Sequence, residues 1–157
     1  MIVYLLLLNR QSFHLLAFFC LYSMEVITMS TTPSTLGCIA CWPSSADAAY
    51  EALKNLQTEI ELVDESHFTV KIRSCPKCEQ LFVSVFTERI DWQDGDDPQC
   101  WSVMPLTPEE AQKLSAKGGA AGISALPTAR QSLCHDAPKG SAARNYWCQG
   151  IAIRPHD

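Results

Sequence analysis

Two cysteine pairs with the same spacing constrain this sequence more than any other feature. Each pair has the pattern C-x-x-C, which is short enough to aim two thiolates at one point. Two such turns supply the four ligands that a tetrahedral Zn²⁺ takes. The segment between the pairs is long enough for the second pair to fold back beside the first. The spacing therefore predicts a zinc site with these ligands: Cys38, Cys41, Cys75 and Cys78.

The chain around these cysteines resembles a zinc ribbon or treble clef, in which a cysteine turn precedes a hairpin that carries a second turn. The resemblance covers residues 37–88 and implies a structural Zn²⁺ cofactor. Such families often have glycine after each pair, because that position favours a positive φ. Here the residues are Trp42 and Glu79. A site closed by four protein ligands leaves no position for a substrate, so the resemblance argues against catalysis at the metal.

Two other interpretations of the cysteines remain open. A redox pair gains a lowered thiol pKa from a helix that begins directly after it. Cys75 leads into a strand, whereas Cys38 precedes a predicted helix and is the better redox candidate. Alternatively, the four thiols are buried and free, and their doubled spacing is a coincidence. The other cysteines stand alone in the sequence and receive no role: Cys20, Cys100, Cys134 and Cys148.

Hydrophobic periodicity predicts an α+β fold. Residues 44–63 have apolar side chains at helical spacing and are predicted to form one helix. Residues 67–74 alternate and residues 80–90 are apolar on both faces, so two strands are predicted to pair as a hairpin with the second cysteine pair at its tip. A second helix is marked by its capping residues, Thr107, Pro108, Glu110 and Gly118. We expect a small antiparallel sheet with a zinc-knuckle hairpin and two or three packed helices.

The first 28 residues differ from the rest, because they are strongly apolar and aromatic. Arg10 interrupts this segment, each apolar stretch is shorter than the about 20 residues of a membrane span, and no small-residue cleavage site follows. We interpret residues 1–28 as an apolar leader translated from upstream sequence. Residues 29–157 are predicted to form a single zinc-binding domain with an irregular C-terminal tail. A cytoplasmic location is expected, with export or membrane anchoring through the leader as the alternative.

The chain has a formal net charge of −5, which argues against nucleic-acid binding because such proteins usually present a basic face. Acidic side chains concentrate after the second predicted strand, in a group that we call the acidic loop: Glu88, Asp91, Asp94, Asp96 and Asp97. Their spacing does not match an EF-hand. This loop is either solvated or a docking surface for a basic protein.

We therefore predict a non-enzymatic, zinc-binding protein that acts through protein–protein interaction in an accessory or immunity-like role. The acidic loop is the predicted contact with its partner. The sequence contains no dinucleotide-binding, P-loop or hydrolase motif. Two alternatives are a nucleic-acid-binding zinc ribbon, which would use Lys71, Arg73 and Lys77, and a thiol-redox protein that uses one C-x-x-C pair.

Overall fold

The computed structural model describes residues 36–156. The predicted leader at residues 1–28 lies outside them, as does Cys20. The described part contains three helices and six strands, in this order: α1 Ala46–Leu53, β1 Gln57–Glu65, β2 Phe68–Ser74, β3 Leu81–Glu88, β4 Gln99–Leu106, α2 Pro108–Lys117, α3 Gly119–Ile123, β5 Gln131–Ala137 and β6 Arg144–Gln149. None of these helices has the length and apolar character needed to cross a bilayer.

The strands form one antiparallel sheet in which every strand pairs with its neighbours in the sequence, in the order β1-β2-β3-β4-β5-β6. The predicted hairpin is confirmed: β2 pairs with β3 from Phe68 opposite Thr87 to Ser74 opposite Leu81. This register leaves the second cysteine pair in the turn between the two strands. As its apolar sequence on both faces indicates, β3 lies inside the sheet between β2 and β4.

The predicted α+β class with two or three packed helices is wrong. The fold is dominated by its sheet, with 38% strand against 18% helix, and the helices are short. The main error concerns residues 44–63, because α1 ends at Leu53 and β1 begins at Gln57. Ile60 fits the helical spacing of the apolar residues before it, but it also fits the period of a strand. It is β-branched, and pairing with β2 satisfies the backbone of this segment across the sheet.

The predicted irregular tail contains two further strands. It also contains the short helix α3, and its last strand is β6. β5 pairs with both β4 and β6. It was not predicted, because its polar residues obscure the apolar pattern expected of such a strand. Cys134 and Cys148, which seemed to stand alone, form a disulfide between β5 and β6.

The two faces of the sheet have different covers. On the first, which we call the aliphatic face, α2 and α3 pack over Val70, Ile72, Val83, Val85, Met104 and Leu106. On the second, which we call the cysteine face, α1 and the turn of the first cysteine pair pack over Phe82, Val103 and Leu133. The capping box predicted for α2 is confirmed, since Thr107 and Glu110 bond each other's backbone N–H groups. The two cysteine pairs meet on the cysteine face.

Candidate metal centre

The first cysteine turn is a tight bend at the start of the described residues. Its backbone closes through hydrogen bonds from Cys41 N and Trp42 N to Cys38 O, at 3.0 and 2.7 Å. Gly37 precedes the turn with a φ of 95°, in the left-handed region that favours glycine. A Cβ atom at this position would lie 2.9 Å from the Cβ atom of Trp42. The bend therefore requires glycine for both its conformation and its space.

The second cysteine turn lies at the tip of the β2–β3 hairpin. Cys75 N donates to Gln80 O at 3.0 Å, and Glu79 N donates to Cys75 O at 2.9 Å. Glu79 has a φ of 60° and is the only non-glycine residue with a positive φ in the described part of the chain. The position after Cys78 thus has the conformation for which related turns use glycine. Trp42 at the equivalent place in the first turn does not share it.

The two turns bring the sulfur atoms of all four cysteines within 4.8 Å of one another. Cys41 Sγ lies 3.7 Å from Cys38 Sγ and 3.8 Å from Cys78 Sγ. Four sulfurs placed about 2.3 Å from a central Zn²⁺ form a tetrahedron with edges of about 3.8 Å. The spacing therefore fits a four-coordinate ion bound by thiolates. Cys41 and Cys75 are buried, whereas Cys78 is exposed at the edge of the cluster.

Hydrogen bonds around the cluster support thiolate charge, which desolvation of Cys41 and Cys78 opposes by raising the pKa of each thiol. Backbone N–H groups donate to two sulfurs, from Cys38 N to Cys41 Sγ at 3.3 Å and from Lys77 N to Cys75 Sγ at 3.4 Å. A hydrogen bond with Cys78 lowers the pKa of the Cys38 thiol to about 7, whereas burial raises the pKa of Cys41. Four thiolates this close repel one another unless a positive ion lies among them. The cluster could hold a metal ion.

Gln80 joins the two turns and was missed by the sequence analysis. Its Oε1 atom accepts a hydrogen bond from Gly37 N at 3.1 Å, and its Nε2 atom donates to Leu106 O at 2.7 Å. One side chain therefore links the first turn, the hairpin tip and β4. The only sequence signal for this role is that Gln80 follows the second cysteine turn.

Aromatic rings fix the first turn to the cysteine face. The Trp42 ring lies 5.5 Å from that of Phe82 and 4.9 Å from that of Trp147, measured between centroids. Trp147 also donates from Nε1 to Ser44 O at 3.0 Å. The residue that replaces glycine after Cys41 thus packs the turn against the sheet.

The structure gives less support to the redox and nucleic-acid-binding alternatives. α1 begins at Ala46 with Ser45 as its N-cap, so its N-terminus is not directly after the first cysteine pair, where a redox-active thiol would need it. Among the three basic residues, Lys71 is paired with Glu61 at 2.7 Å and Arg73 is half-buried. Only Lys77 is exposed.

The acidic loop begins at Glu88, the last residue of β3, at the end of that strand away from the cysteines. Its carboxylates are used within the chain. Glu88 forms hydrogen bonds with His67 Nδ1, at 3.0 Å, and with Gln99 Nε2. Both bonds lower the pKa of Glu88. Lys139 pairs with Asp91 and Asp94, which lowers the pKa of Asp91.

The tip of the acidic loop is held by hydrogen bonds to backbone N–H groups. Asp97 accepts from Asp91 N at 2.6 Å, and Asp96 accepts from Gly140 N at 2.7 Å. Trp92 lies between these contacts with 87% of its surface exposed. The loop therefore presents an indole ring beside acids whose charge is partly neutralised.

Comparison of the chain with known protein families, curated proteins and solved structures finds no match. The cysteine cluster is thus supported by its own geometry and not by a relative.

Proposed function

We propose that this chain is a non-enzymatic protein that binds one structural Zn²⁺ through Cys38, Cys41, Cys75 and Cys78 and acts by binding another protein. The observation that carries the proposal is the convergence of the four sulfur atoms within 4.8 Å. All four ligands come from the protein, so the ion has no open coordination position. A closed site of this kind supports folding and does not activate water.

The ion would join two segments that are distant in the sequence. Cys38 and Cys41 lie before α1, and Cys75 and Cys78 lie between β2 and β3. Zn²⁺ bound to all four fixes the start of the domain to the hairpin tip. α1, which follows the first turn, is thereby held on the cysteine face.

The acidic loop is the proposed protein-binding surface, and Trp92 is its central contact. Exposed aromatic rings are enriched at protein interfaces. The surrounding carboxylates favour a partner with basic side chains, because such charges steer association. The loop is held together by its own hydrogen bonds, so little order has to be gained on binding.

The compartment is part of this proposal. A cytoplasmic location was expected, but disulfides persist mainly in oxidising compartments. The Cys134–Cys148 disulfide therefore favours the exported alternative. The test is to alkylate the protein in intact native cells and to analyse it by mass spectrometry without reduction. If the disulfide is present in the cell, Cys134 and Cys148 will both remain unalkylated. Alkylation of both cysteines would favour the cytoplasm.

Metal analysis tests the central claim. The full chain, purified without chelator, is expected to contain one zinc ion per chain by inductively coupled plasma mass spectrometry. C41S and C75S should lose it, because each removes a buried thiolate ligand. C100S is the matched control, since Cys100 is a buried thiol outside the cluster. Absence of stoichiometric metal from the unmodified chain, or its retention in both ligand variants, would contradict the proposal.

The binding surface requires a separate experiment. Cross-linking in the native host should identify a partner, and purified partner should bind the W92A variant at least about tenfold more weakly because an interface anchor is lost. D64N/E65Q is the control, since it removes two exposed acids from the end of β1 and leaves the acidic loop intact. An equal loss in D64N/E65Q would show that binding is not specific to the acidic loop, and unchanged affinity in W92A would show that Trp92 is not the central contact.

A further inference from the structure

A second site lies on the cysteine face, separate from the metal centre. A cavity of about 320 Å³ opens between α1 and the sheet. Its lining combines aromatic, cationic and hydroxyl groups, and the residues that matter here are Tyr50, Arg73, Ser84, Trp101, Leu133 and His135. No cysteine and no carboxylate is among the described residues that line it. The cavity is therefore apolar at its walls and positive at one side.

Two cations line the cavity, Lys54 and Arg73. Lys54 is paired with Glu51 at 2.6 Å, whereas Arg73 has too few partners. Its Nη2 atom donates to Leu56 O at 2.6 Å, while its Nε atom is buried and has no hydrogen-bond partner in the described structure. Within residues 36–156, Arg73 forms no ion pair. A guanidinium group carries five N–H donors, and burying it without an anion is costly. An anionic ligand in the cavity would supply the missing counter-charge.

The opposite walls are flat aromatic rings in fixed orientations. Tyr50 and His135 stack with their centroids 4.1 Å apart, and Trp101 lies 5.6 Å from His135. His135 Nδ1 donates to Asn145 Oδ1 at 2.7 Å, because Asn145 uses its Nδ2 atom to donate to Asp47 at 2.9 Å. The chain of bonds holds the imidazole ring in place. Lys54 Nζ also lies over the Tyr50 ring, 4.6 Å from its centroid, so both faces of Tyr50 are covered. Trp101 is the lining ring against which another planar group can pack.

We propose that this cavity binds a small aromatic carboxylate, whose carboxylate group is held by Arg73 and whose ring packs against Trp101. A carboxylate matches the planar guanidinium group and can accept two parallel hydrogen bonds from it. The volume lies at the lower end of the range for small-molecule sites, which sets the ligand at one or two rings. Ser84 adds a hydroxyl group to the lining.

Titration of the zinc-loaded chain with benzoate and with indole-3-acetate, followed by calorimetry, tests the assignment. Saturable binding of at least one of them is expected. The matching neutral amide, benzamide or indole-3-acetamide, should bind at least about tenfold more weakly, because it lacks the charge that strengthens the bond to Arg73. Inorganic phosphate should also bind more weakly, since it offers nothing to the aromatic walls.

Variants of Arg73 identify the anchor. R73Q should lower the affinity for the carboxylate by about tenfold or more, and R73K should lower it less because it keeps the charge. K71Q is the matched control: Lys71 is the neighbouring cation on the same strand and face, but it is paired with Glu61 and does not line the cavity. Its affinity should not change.

A measurement on the unmodified chain avoids any dependence on how the variants fold. In a ¹H–¹⁵N spectrum that includes arginine side chains, the Arg73 Nε–H resonance should shift with the carboxylate and stay in place with the amide. Failure of both carboxylates to bind at millimolar concentration would overturn the proposal. So would equal affinity for carboxylate and amide, equal affinity for phosphate, or full affinity in a folded R73Q variant.

Discussion

The two faces of the sheet are covered by different physical means. The aliphatic face is closed by α2 and α3 over interlocking apolar side chains, with Met104 and Leu106 at most 1% exposed. The cysteine face is closed by the eight residues of α1 and by a cysteine turn, over a smaller buried cluster. The first cover is held by burial and by Arg130, which pairs with Glu110 of α2 and donates to Pro105 O of β4 at 3.0 Å. The second depends on four thiols and, in our proposal, on the ion between them.

This difference explains where the proposed sites lie. A closely packed apolar face gains little from a metal cross-link. The cavity that it borders, beside Ile123 and Leu126, has no charged side chain among the described residues that line it. The cysteine face has a thinner cover, which leaves the cavity beside Arg73 open and makes a metal useful as a cross-link. Stability and binding are thus divided between the two sides of one sheet. A perturbation of one side should therefore leave the other side in place.

Removal of the metal should have the largest effect, and it should be confined to one face. Structural zinc sites bind with an apparent free energy of about 10–16 kcal/mol, so chelation should remove a large share of the stability of the cover. We expect residues 36–56 to lose protection from hydrogen exchange, while Val83, Val85 and Leu106 stay protected. Hydrogen-exchange mass spectrometry before and after chelation measures this.

The control for chelation is the C41S variant, which should reproduce the same pattern without chelator. Uniform loss of protection on both faces would show that the sheet depends on the metal as a whole, and the distinction between the faces would be lost. Unchanged protection in residues 36–56 would show that the metal does not hold the cover.

A matched pair of leucines tests the comparison with a smaller effect. Leu114 of α2 and Leu53 of α1 are both buried, one on each face. Leu→Ala substitution should lower the free energy of unfolding by about 2–5 kcal/mol at either site. Only L53A should speed the loss of zinc to a chelator, because only Leu53 belongs to the cover beside the cysteines. Chemical denaturation and a zinc-indicator assay provide the two measurements.

The residues that could be predicted are those whose signal is local. The C-x-x-C pairs, the alternating β2 and the capping box of α2 depend on neighbours a few positions away. The sequence thus predicted the hairpin with its cysteines and one helix. β1 was mistaken for helix because Ile60 satisfies both periods, and only pairing with β2 decides between them.

The features that could not be predicted depend on register across several strands. The Cys134–Cys148 disulfide requires β5 and β6 to be paired, and β5 was not recognised. The Arg73 cavity combines side chains from α1 and four strands, so no short stretch of sequence contains it. Arg73 was noted only as a basic residue near the knuckle. Its burial and missing partners are visible only in three dimensions.

Loss of the Gln80 side chain should have a moderate effect on the cysteine side. Q80A leaves Gly37 N and Leu106 O without their present partners, which should cost about 1–2 kcal/mol of unfolding free energy. Zinc should leave faster, since Gln80 joins the two turns. Thermal unfolding with and without chelator measures both effects. Q93A, at an exposed position in the acidic loop, should change neither.

Replacement of Glu79 by glycine should have the smallest effect, and it should be stabilising. Glu79 has a φ of 60°, a conformation that strains a side-chain-bearing residue and that glycine adopts freely. Relief of this strain should exceed the added entropy of the unfolded chain and give a net gain of about 0.5–1 kcal/mol with zinc bound. Glycine at position 42, where φ is not positive, should instead destabilise by removing the Trp42 contacts. Opposite changes in unfolding free energy for E79G and W42G would show that the two turns rely on different backbone conformations. A loss of stability in E79G would instead show that the Glu79 side chain itself supports the cysteine face.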